Sequence, residues 1–112
     1  MAPALSVTPK NLVPGTLLGT GAAVLYTAPS KATVHSLTIV NNDTVSHTAT
    51  VYLVPSAGSP GAANVIIKAV SIDAGQTLID DTLRVLETGG TIQALASVAS
   101  QVNLRADGSE VA

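Results

Sequence analysis

The sequence predicts an all-β fold, an antiparallel β-sandwich or barrel of about eight strands. Short runs of β-branched and aliphatic residues recur at intervals of about ten residues, and turn-forming residues separate them. No amphipathic helical period extends beyond one or two turns. Phe and Trp are absent, so Val, Leu, Ile and Ala supply a core of small aliphatic groups that stack well between sheets.

Length and composition limit the function classes. A chain of 112 residues is large enough for one domain with a single core. The net charge of −2 provides no basic patch, so we expect no nucleic-acid partner. Only 11% of the residues are charged, which is low for a monomer and indicates that partners cover part of the surface. The absence of cysteine excludes disulfides and thiol chemistry.

The first residues carry no targeting signal of the usual kind. Met1 to Ala4 lack the basic and apolar regions of a signal peptide. No apolar run approaches the roughly 20 residues of a membrane helix. We therefore expect a soluble chain that is made in a cytoplasm and does not contact a membrane.

Residues 1–15 are predicted to form an extended N-terminal arm, and residues 16–112 the sandwich domain. The prolines in this stretch block a helix and a central strand. One interpretation is a frayed terminus. The other is an arm that docks on a neighbouring subunit through its aliphatic residues. Those residues are Leu5, Val7, Leu12 and Val13.

The central stretch, residues 31–55, predicts a hairpin of two strands. The polar run from Asn41 to Thr44 between its two apolar segments is typical of a turn. A turn centred on Asp43 and Thr44 gives the strands two faces that are both half apolar. Two covered faces produce such near-continuous apolar runs, so we expect one face in the core and the other against a sheet or subunit. The residues predicted for that second, shared face are Leu37, Ile39 and Tyr52.

The remaining segments predict further strands in order. Two short strands flank residues 19–21, before the central hairpin. After it, residues 55–63 predict an exposed loop, because Pro, Gly, Ser and Ala dominate there. Strands are expected next at residues 64–72, 77–80 and 83–86. A last hairpin of residues 91–97 and 101–106 follows, and the Asp-Gly-Ser turn at 107–109 leads to a short tail.

No arrangement of residues predicts catalysis, a cofactor or a metal site. His35 and His47 are expected on opposite faces of the hairpin, which disfavours zinc. Asp80 and Asp81 are adjacent in a strand and point to opposite sides, so edge charges are favoured over an acid–base pair. No G-x-S-x-G motif presents a serine nucleophile. We therefore expect a protein that is not an enzyme and needs no cofactor.

The order of the motifs resembles that of small virion structural proteins of tailed bacteriophages. The resemblance covers about Tyr26 to Val111 and lies in the strands and turns. The segments that carry it are TAPSKATVHSLTIVNNDT, TATVYLVPSAGSPGAAN, SIDAGQTLI, LETGGTIQALAS and VNLRADGSEV.

The resemblance implies a β-sandwich, often jelly-roll-like, that works in the virion and commonly as a homotrimer. The leading hypothesis is a capsid decoration (cement) protein that binds major capsid subunits after assembly in the host cytoplasm. In this hypothesis, deletion of residues 1–15 abolishes capsid binding and leaves a folded domain. The alternative is a head-fibre, tail or baseplate component that contacts the host surface through residues 55–63. A bacterial carbohydrate-binding module is disfavoured by the scarcity of aromatic residues.

Overall fold

A computed structural model describes residues 6–111 and confirms the all-β prediction. Within this range every regular element is a strand, and no helix is long and apolar enough to cross a membrane. Residues 6–111 contain nine strands. They are β1 (Val7–Leu17), β2 (Ala23–Thr27), β3 (Ala32–Asn41), β4 (His47–Val54), β5 (Val65–Ile72), β6 (Thr77–Asp80), β7 (Arg84–Leu86), β8 (Thr91–Ala96) and β9 (Val102–Val111).

The strands form two antiparallel sheets with a jelly-roll topology. Sheet 1 has the order β1-β9-β3-β6, and β7 pairs with β3 beyond the end of β6. Sheet 2 has the order β2-β8-β4-β5. Because β6 and β7 are two halves of one edge strand, the pairs β1·β9, β2·β8, β3·β6/β7 and β4·β5 nest inside one another along the chain. This nesting over eight strand positions is that of a jelly roll.

The core lies between the two sheets and consists mainly of aliphatic side chains; β2 contributes the buried Tyr26, and β6 contributes only the partly buried Leu78. Strand β3 shows the alternation that builds it, because Val34, Leu37 and Ile39 are buried while the residues between them face outward. Opposite them, sheet 2 contributes Val51 and Ile92, which are both fully buried. Burial of these groups is the main favourable contribution to folding. The prediction of a small-residue core holds, since six alanines are among its members.

The predicted central hairpin is wrong, because β3 and β4 belong to different sheets. Strand β3 pairs with β9, β6 and β7, whereas β4 pairs with β5 and β8. The polar run after β3 crosses from sheet 1 to sheet 2 and does not reverse the chain within one sheet. Asn41 fixes this crossing, since its buried amide nitrogen donates to the carbonyl oxygens of Val45 and Ile72, at 2.8 and 2.9 Å.

The predicted last hairpin and the turn at residues 107–109 are wrong for related reasons. Strand β8 lies in sheet 2 and β9 in sheet 1, so the intervening residues also cross between sheets. Strand β9 continues through Asp107, Gly108 and Ser109 to Val111. A Cβ atom at position 108 would lie 1.9 Å from the carbonyl oxygen of Thr33. The glycine therefore permits close approach of β3 to β9, as isolated glycines within strands do.

The predicted division into an arm and a domain at residue 15 is also wrong. Residues 7–17 form β1, which pairs with β9 along its whole length, from Val7 opposite Val111 to Leu17 opposite Asn103. Two irregularities in this pairing lie around Val13. The prolines are accommodated because β1 is an edge strand with one unpaired side.

Candidate interaction surfaces

The residues predicted for the interface differ in their exposure, since some are buried in the core and others lie on the surface. Leu37 and Ile39 are 1% and 0% exposed and belong to the core, so their predicted position on a shared outer face is wrong. Leu12 and Val13 are buried as well. Val7 is 60% exposed, and Tyr52 is half-buried on the outer face of sheet 2. Leu5 lies outside the described residues.

The outer face of sheet 1 has a polar centre. Strands β9 and β3 occupy its middle and present Asn103, Arg105 and Asp107, with Thr33 and Thr38 beside them. The Arg105 Nε atom donates to the carboxylate of Asp107 at 3.2 Å. Because the hydroxyl, amide and charged groups here remain at least partly exposed, dry burial of this centre would carry a desolvation cost.

Two apolar rims border this polar centre. The β1 rim consists of Val7 and Leu17, which are 60% and 55% exposed. The β6–β7 rim consists of Ile79, Leu83 and Val85, which are 65%, 61% and 56% exposed. The pairing register places Val7, Leu17, Ile79 and Val85 on the same outer face as the polar centre. Sheet 1 therefore exposes an apolar strip along its β6–β7 edge, whereas the two exposed apolar residues of β1 lie at opposite ends of that strand.

The edges next to these rims are poor templates for an added strand. Pro9 and Pro14 in β1 lack the amide hydrogens that a further strand would need. Strand β6 has only four residues. At the edge of sheet 2, Ala69 in β5 adopts a positive φ of 45°, beside an irregularity in its pairing with β4. A partner is therefore expected to contact the rims by side-chain packing.

The outer face of sheet 2 carries Tyr52 in a row with Val24, Gln93 and Val65. Tyr52 borders an open depression that Gly61, Ala62, Val65 and Lys68 complete. An aromatic side chain beside a shallow apolar surface is a common centre of a protein interface. This depression is the second candidate contact surface.

A groove separates the edge strands β5 and β6. Val70 and Leu78 line the groove, and so do the charged residues Lys68 and Asp81. Asp80 accepts a hydrogen bond from the backbone of Thr82 and one from Arg84, at 3.0 and 2.7 Å, and both interactions lower the pKa of its carboxyl. Asp80 therefore anchors the chain between β6 and β7.

Tyr26, Glu110 and Lys10 form a polar cluster where β2 meets β1 and β9. The Tyr26 hydroxyl donates to Glu110, and the Lys10 Nζ atom lies 3.2 Å from a Glu110 oxygen. Burial raises the pKa of Tyr26, and the hydrogen bond to Glu110 raises it further. The hydrogen bond from Tyr26, with the Lys10 ammonium as a second cause, lowers the pKa of Glu110. The cluster links the two sheets at this edge.

A serine, a histidine and an aspartate meet at the opposite end of the sandwich. The His47 Nε2 atom lies 2.7 Å from Asp43, and the Ser97 Oγ atom is 3.5 Å from His47 Nδ1, too far for a good hydrogen bond. Ser97 Oγ already accepts a hydrogen bond from the Thr48 amide. These contacts connect the loop between β3 and β4 with the segment that follows β8. Among residues 6–111, no group of three or more His, Cys, Asp or Glu residues is placed to hold a metal ion.

The main members of the rims were not predicted from the sequence. Leu17, Ile79, Leu83 and Val85 occur in apolar runs that look the same as those of the core strands. Edge position distinguishes them, and edge position depends on the order of strands in the sheets. The short length of β6 and the break before β7 were the available signals, since protected edges use short strands.

Comparison with known proteins identifies no family. No family model matches the chain, and no curated protein matches it. Among solved structures, a chain from infectious bursal disease virus, Gx strain, is similar over 96% of this protein, with 15% identity and a TM-score of 0.46. For the Gt strain of the same virus the identity is 15%, the coverage 96% and the TM-score 0.38.

This protein spans 31% and 32% of those two viral chains. At these TM-scores the likeness supports no conclusion about function. The pairing of the strands defines the protein as a jelly-roll β-sandwich, and its surfaces are the basis for a functional proposal.

Proposed function

We propose that the protein is a virion structural protein of a tailed bacteriophage, and specifically a capsid decoration protein that binds the major capsid subunits of the assembled head. Its work is binding, without catalysis. The proposal combines the resemblance of the sequence from Tyr26 to Val111 with a surface of few charges. The functional form is a homo-oligomer, with a trimer favoured, located in the virion after assembly in the host cytoplasm.

The observation that carries the proposal is the exposure of large apolar side chains outside a complete core. Ile79, Leu83 and Val85 are each more than half exposed on a single rim, although the sandwich buries a full set of core residues. Clustered exposed apolar residues are typical of interaction sites. A protein that stabilises a shell by binding energy alone needs such contacts more than it needs a pocket.

Within this proposal, the outer face of sheet 2 contacts the head through Tyr52. The depression beside Tyr52 has a flat, small-residue border at Gly61 and Ala62 that a neighbouring protein surface can approach closely. Lys68 supplies a charge at its margin. Large amphipathic side chains in such positions often dominate the affinity of an interface.

The test is a binding assay with heads that lack this chain. Purified protein is mixed with heads assembled from the major capsid protein of the same phage, and co-sedimentation is measured. We expect saturable binding and greater resistance of the heads to heat. The Tyr52→Ala variant should bind at least about tenfold more weakly, which is about 1.4 kcal/mol. The matched control is Thr38→Ala on the outer face of sheet 1. Absence of binding by the unmodified protein would refute the decoration role.

The second candidate is a head-fibre, tail or baseplate component. The loop from Pro55 to Asn64 favours it, because most of its residues are exposed at one end of the sandwich. Loops at the end of a rigid sandwich often bind partners. Retention of the protein on host envelopes, together with no affinity for heads, would favour this role over decoration.

A further inference from the structure

We propose that the groove between β5 and β6 binds an extended polypeptide segment in which aliphatic residues lie between an acidic and a basic residue. A major capsid subunit supplies the segment, and this source rests on the proposed function. The binding site itself rests on the geometry and the charges of β5 and β6, and it is tested without heads.

The groove forms where two consecutive strands enter different sheets. Strand β5 ends at Ile72 and β6 begins at Thr77, so a short turn joins the two strands at one end of the groove. Strand β5 is an edge of sheet 2 and β6 is an edge of sheet 1, so within residues 6–111 no further strand covers the outer side of either. The groove has a volume of about 330 Å³, which is within the range of binding clefts. Its size and position therefore suit a short chain segment.

The apolar floor of the groove is a continuation of the core. Val70 pairs with Ala49, and Leu78 pairs with Ile39. Because Ala49 and Ile39 are fully buried, their cross-strand partners also point to the inner faces of the two sheets. Val70 is nevertheless 37% exposed and Leu78 is only half-buried, since both lie at sheet edges. Aliphatic side chains of a bound segment would cover these two residues, and removal of this apolar surface from water favours binding.

A β-bulge in β5 shapes one wall of the groove. Between Ile67 and Val70, two residues of β5 oppose the single residue Thr50 of β4. Ala69 has a φ of 45°, and its amide donates to the Thr50 hydroxyl at 3.0 Å. The extra residue leaves Ile67 and Val70 both facing inward, with Lys68 at the border of the groove. Such backbone strain is concentrated at functional sites. The bulge also interrupts the edge of β5, so the segment binds through its side chains.

Two charged residues at the groove supply the charge complementarity. Among residues 6–111, Lys68 is the one Lys or Arg without an ion-pair partner, since the other four are paired with carboxylates. Asp81 has no ion-pair partner in this range either, although it borders the same groove as Lys68. A segment with an acidic residue for Lys68 and a basic residue for Asp81 would complete both pairs. Complementary charges of this kind select the partner and fix its register in the groove.

The first measurement is a titration of the intact, isotope-labelled protein with the blocked peptide Gly-Glu-Val-Leu-Val-Lys-Gly, followed by NMR of the backbone amides. We expect saturable shifts that are confined to β5, β6 and their neighbours. The control peptide has Gln in place of both Glu and Lys, and it should bind at least about threefold more weakly, because both ion pairs are lost. Absence of shifts in β5 and β6 at millimolar peptide would overturn the proposal, and so would equal affinity for the two peptides.

The second measurement reverses the charges of the groove. Lys68→Glu should bind the charged peptide at least about fivefold more weakly, because attraction becomes repulsion. Its urea midpoint should not change, since Lys68 has no partner to lose. Lys31→Glu is the matched control, because it changes the net charge equally but lies outside the groove. The double variant Lys68→Glu/Asp81→Lys should regain affinity, since the peptide then binds in the reverse direction. A double variant as weak as Lys68→Glu, or equal weakening by Lys31→Glu, would contradict the assigned charges.

The outcome for the groove and the outcome for head binding are distinguishable. Asp81→Lys changes the groove but not the depression beside Tyr52, and it should weaken co-sedimentation with heads. A parent protein that binds the peptide but not heads would disprove the decoration role and leave the groove site intact. A parent protein that binds heads but not the peptide would disprove the groove site and leave the decoration role intact. Unchanged head binding by Asp81→Lys would disprove the capsid subunit as the source of the segment.

Discussion

At the scale of single residues, Asn41 is the most deeply buried polar side chain among residues 6–111. It is fully buried, and its amide groups bond to residues in the crossing from β3 to β4 and at the end of β5. Its nitrogen donates to two backbone carbonyls, and its oxygen accepts from the Asp43 amide at 3.0 Å. Since buried polar groups are costly when unpaired, this side chain stabilises the crossing and the end of β5 together.

We predict that Asn41→Ala destabilises the protein by about 3 kcal/mol, because the carbonyl oxygens of Val45 and Ile72 lose their donor and the Ile72 contact is buried. Asn41→Asp should cost more, since a carboxylate oxygen would then face the carbonyl oxygens of Val45 and Ile72. Urea unfolding measures both changes. Asn42→Ala, at the exposed neighbouring position, is the control and should stay within about 0.5 kcal/mol. Equal stability of the Asn41 and Asn42 variants would contradict this role.

Glu110 gives stability a dependence on acidic pH. Its pKa is lower in the folded chain than its ordinary value of 4.5, because Tyr26 and Lys10 stabilise the carboxylate. The unfolded chain therefore binds the proton more readily. The stabilisation is complete above the ordinary value and is lost as the pH falls through the lower, folded-state value. Asp43 and Asp80 have lowered pKa values and act in the same direction.

We expect Glu110→Gln to be less stable than the parent near neutral pH and to lose less stability on acidification. Urea midpoints near pH 7 and near pH 3 give the comparison. Glu87→Gln is the matched control, because the Glu87 carboxylate is 73% exposed beside Lys31. If the parent and Glu110→Gln lost stability in parallel on acidification, the cluster would have no part in the acid response.

At the scale of the strand, Gly108 determines how β9 passes β3. The register between these strands shifts after Val34, and the backbone of Thr33 occupies the space that a side chain at position 108 would need. We predict that Gly108→Ala costs at least about 3 kcal/mol, since backbone atoms must separate. Gly61→Ala is the control, because nothing lies within 4 Å of a Cβ atom there. Thermal unfolding of the two variants should differ clearly; a mild effect at position 108 would mean that the strands separate easily.

The sequence predicted the strands far better than their partners. Strand β4 and strand β5 were located almost to the residue, because β-branched runs end at Pro55 and at Asp73. The partners were wrong at both crossings, since a short polar run suits a reversal within one sheet and a passage between two sheets equally. The side-chain bonds of Asn41 decide between these at the first crossing, and they join residues up to 31 positions apart.

The candidate surfaces were less predictable than the strands. Leu37 and Ile79 are both aliphatic residues in short β-type runs, yet one is 1% exposed and the other 65%. The difference arises because Leu37 faces the core, whereas Ile79 pairs with Thr38 and faces outward on an edge strand. Alternation along a strand identifies two faces, but only the complete strand order identifies which face, and which strand, remains uncovered.

At the scale of the whole molecule, the first and last strands are neighbours. Strand β1 pairs with β9 at the edge of sheet 1, and it places Leu12 and Val13 in the core. We predict that deletion of residues 1–15 abolishes cooperative folding. The deletion removes two buried side chains, at about 2–5 kcal/mol for a residue such as leucine, and leaves β9 unpaired, whereas a domain of this size is stable by about 5–15 kcal/mol. Circular dichroism and urea titration measure the loss. A folded, truncated domain would restore the interpretation of residues 1–15 as an arm.

A circular permutant separates the need for β1 from the need for a particular chain order. Val7 is paired with Val111, so their Cα atoms lie about 5 Å apart, and a short glycine linker can join the two positions. New ends between Ser59 and Pro60 fall in the exposed loop after β4. Because this permutant keeps every strand pair, we expect it to fold cooperatively and to form the same oligomer as the parent, by light scattering. If it failed to fold while the truncated chain folded, β1 could not be an integral strand of the sandwich. If the permutant folds and the truncated chain does not, then folding requires the contacts of β1 with β9 and the core, and not the original chain order.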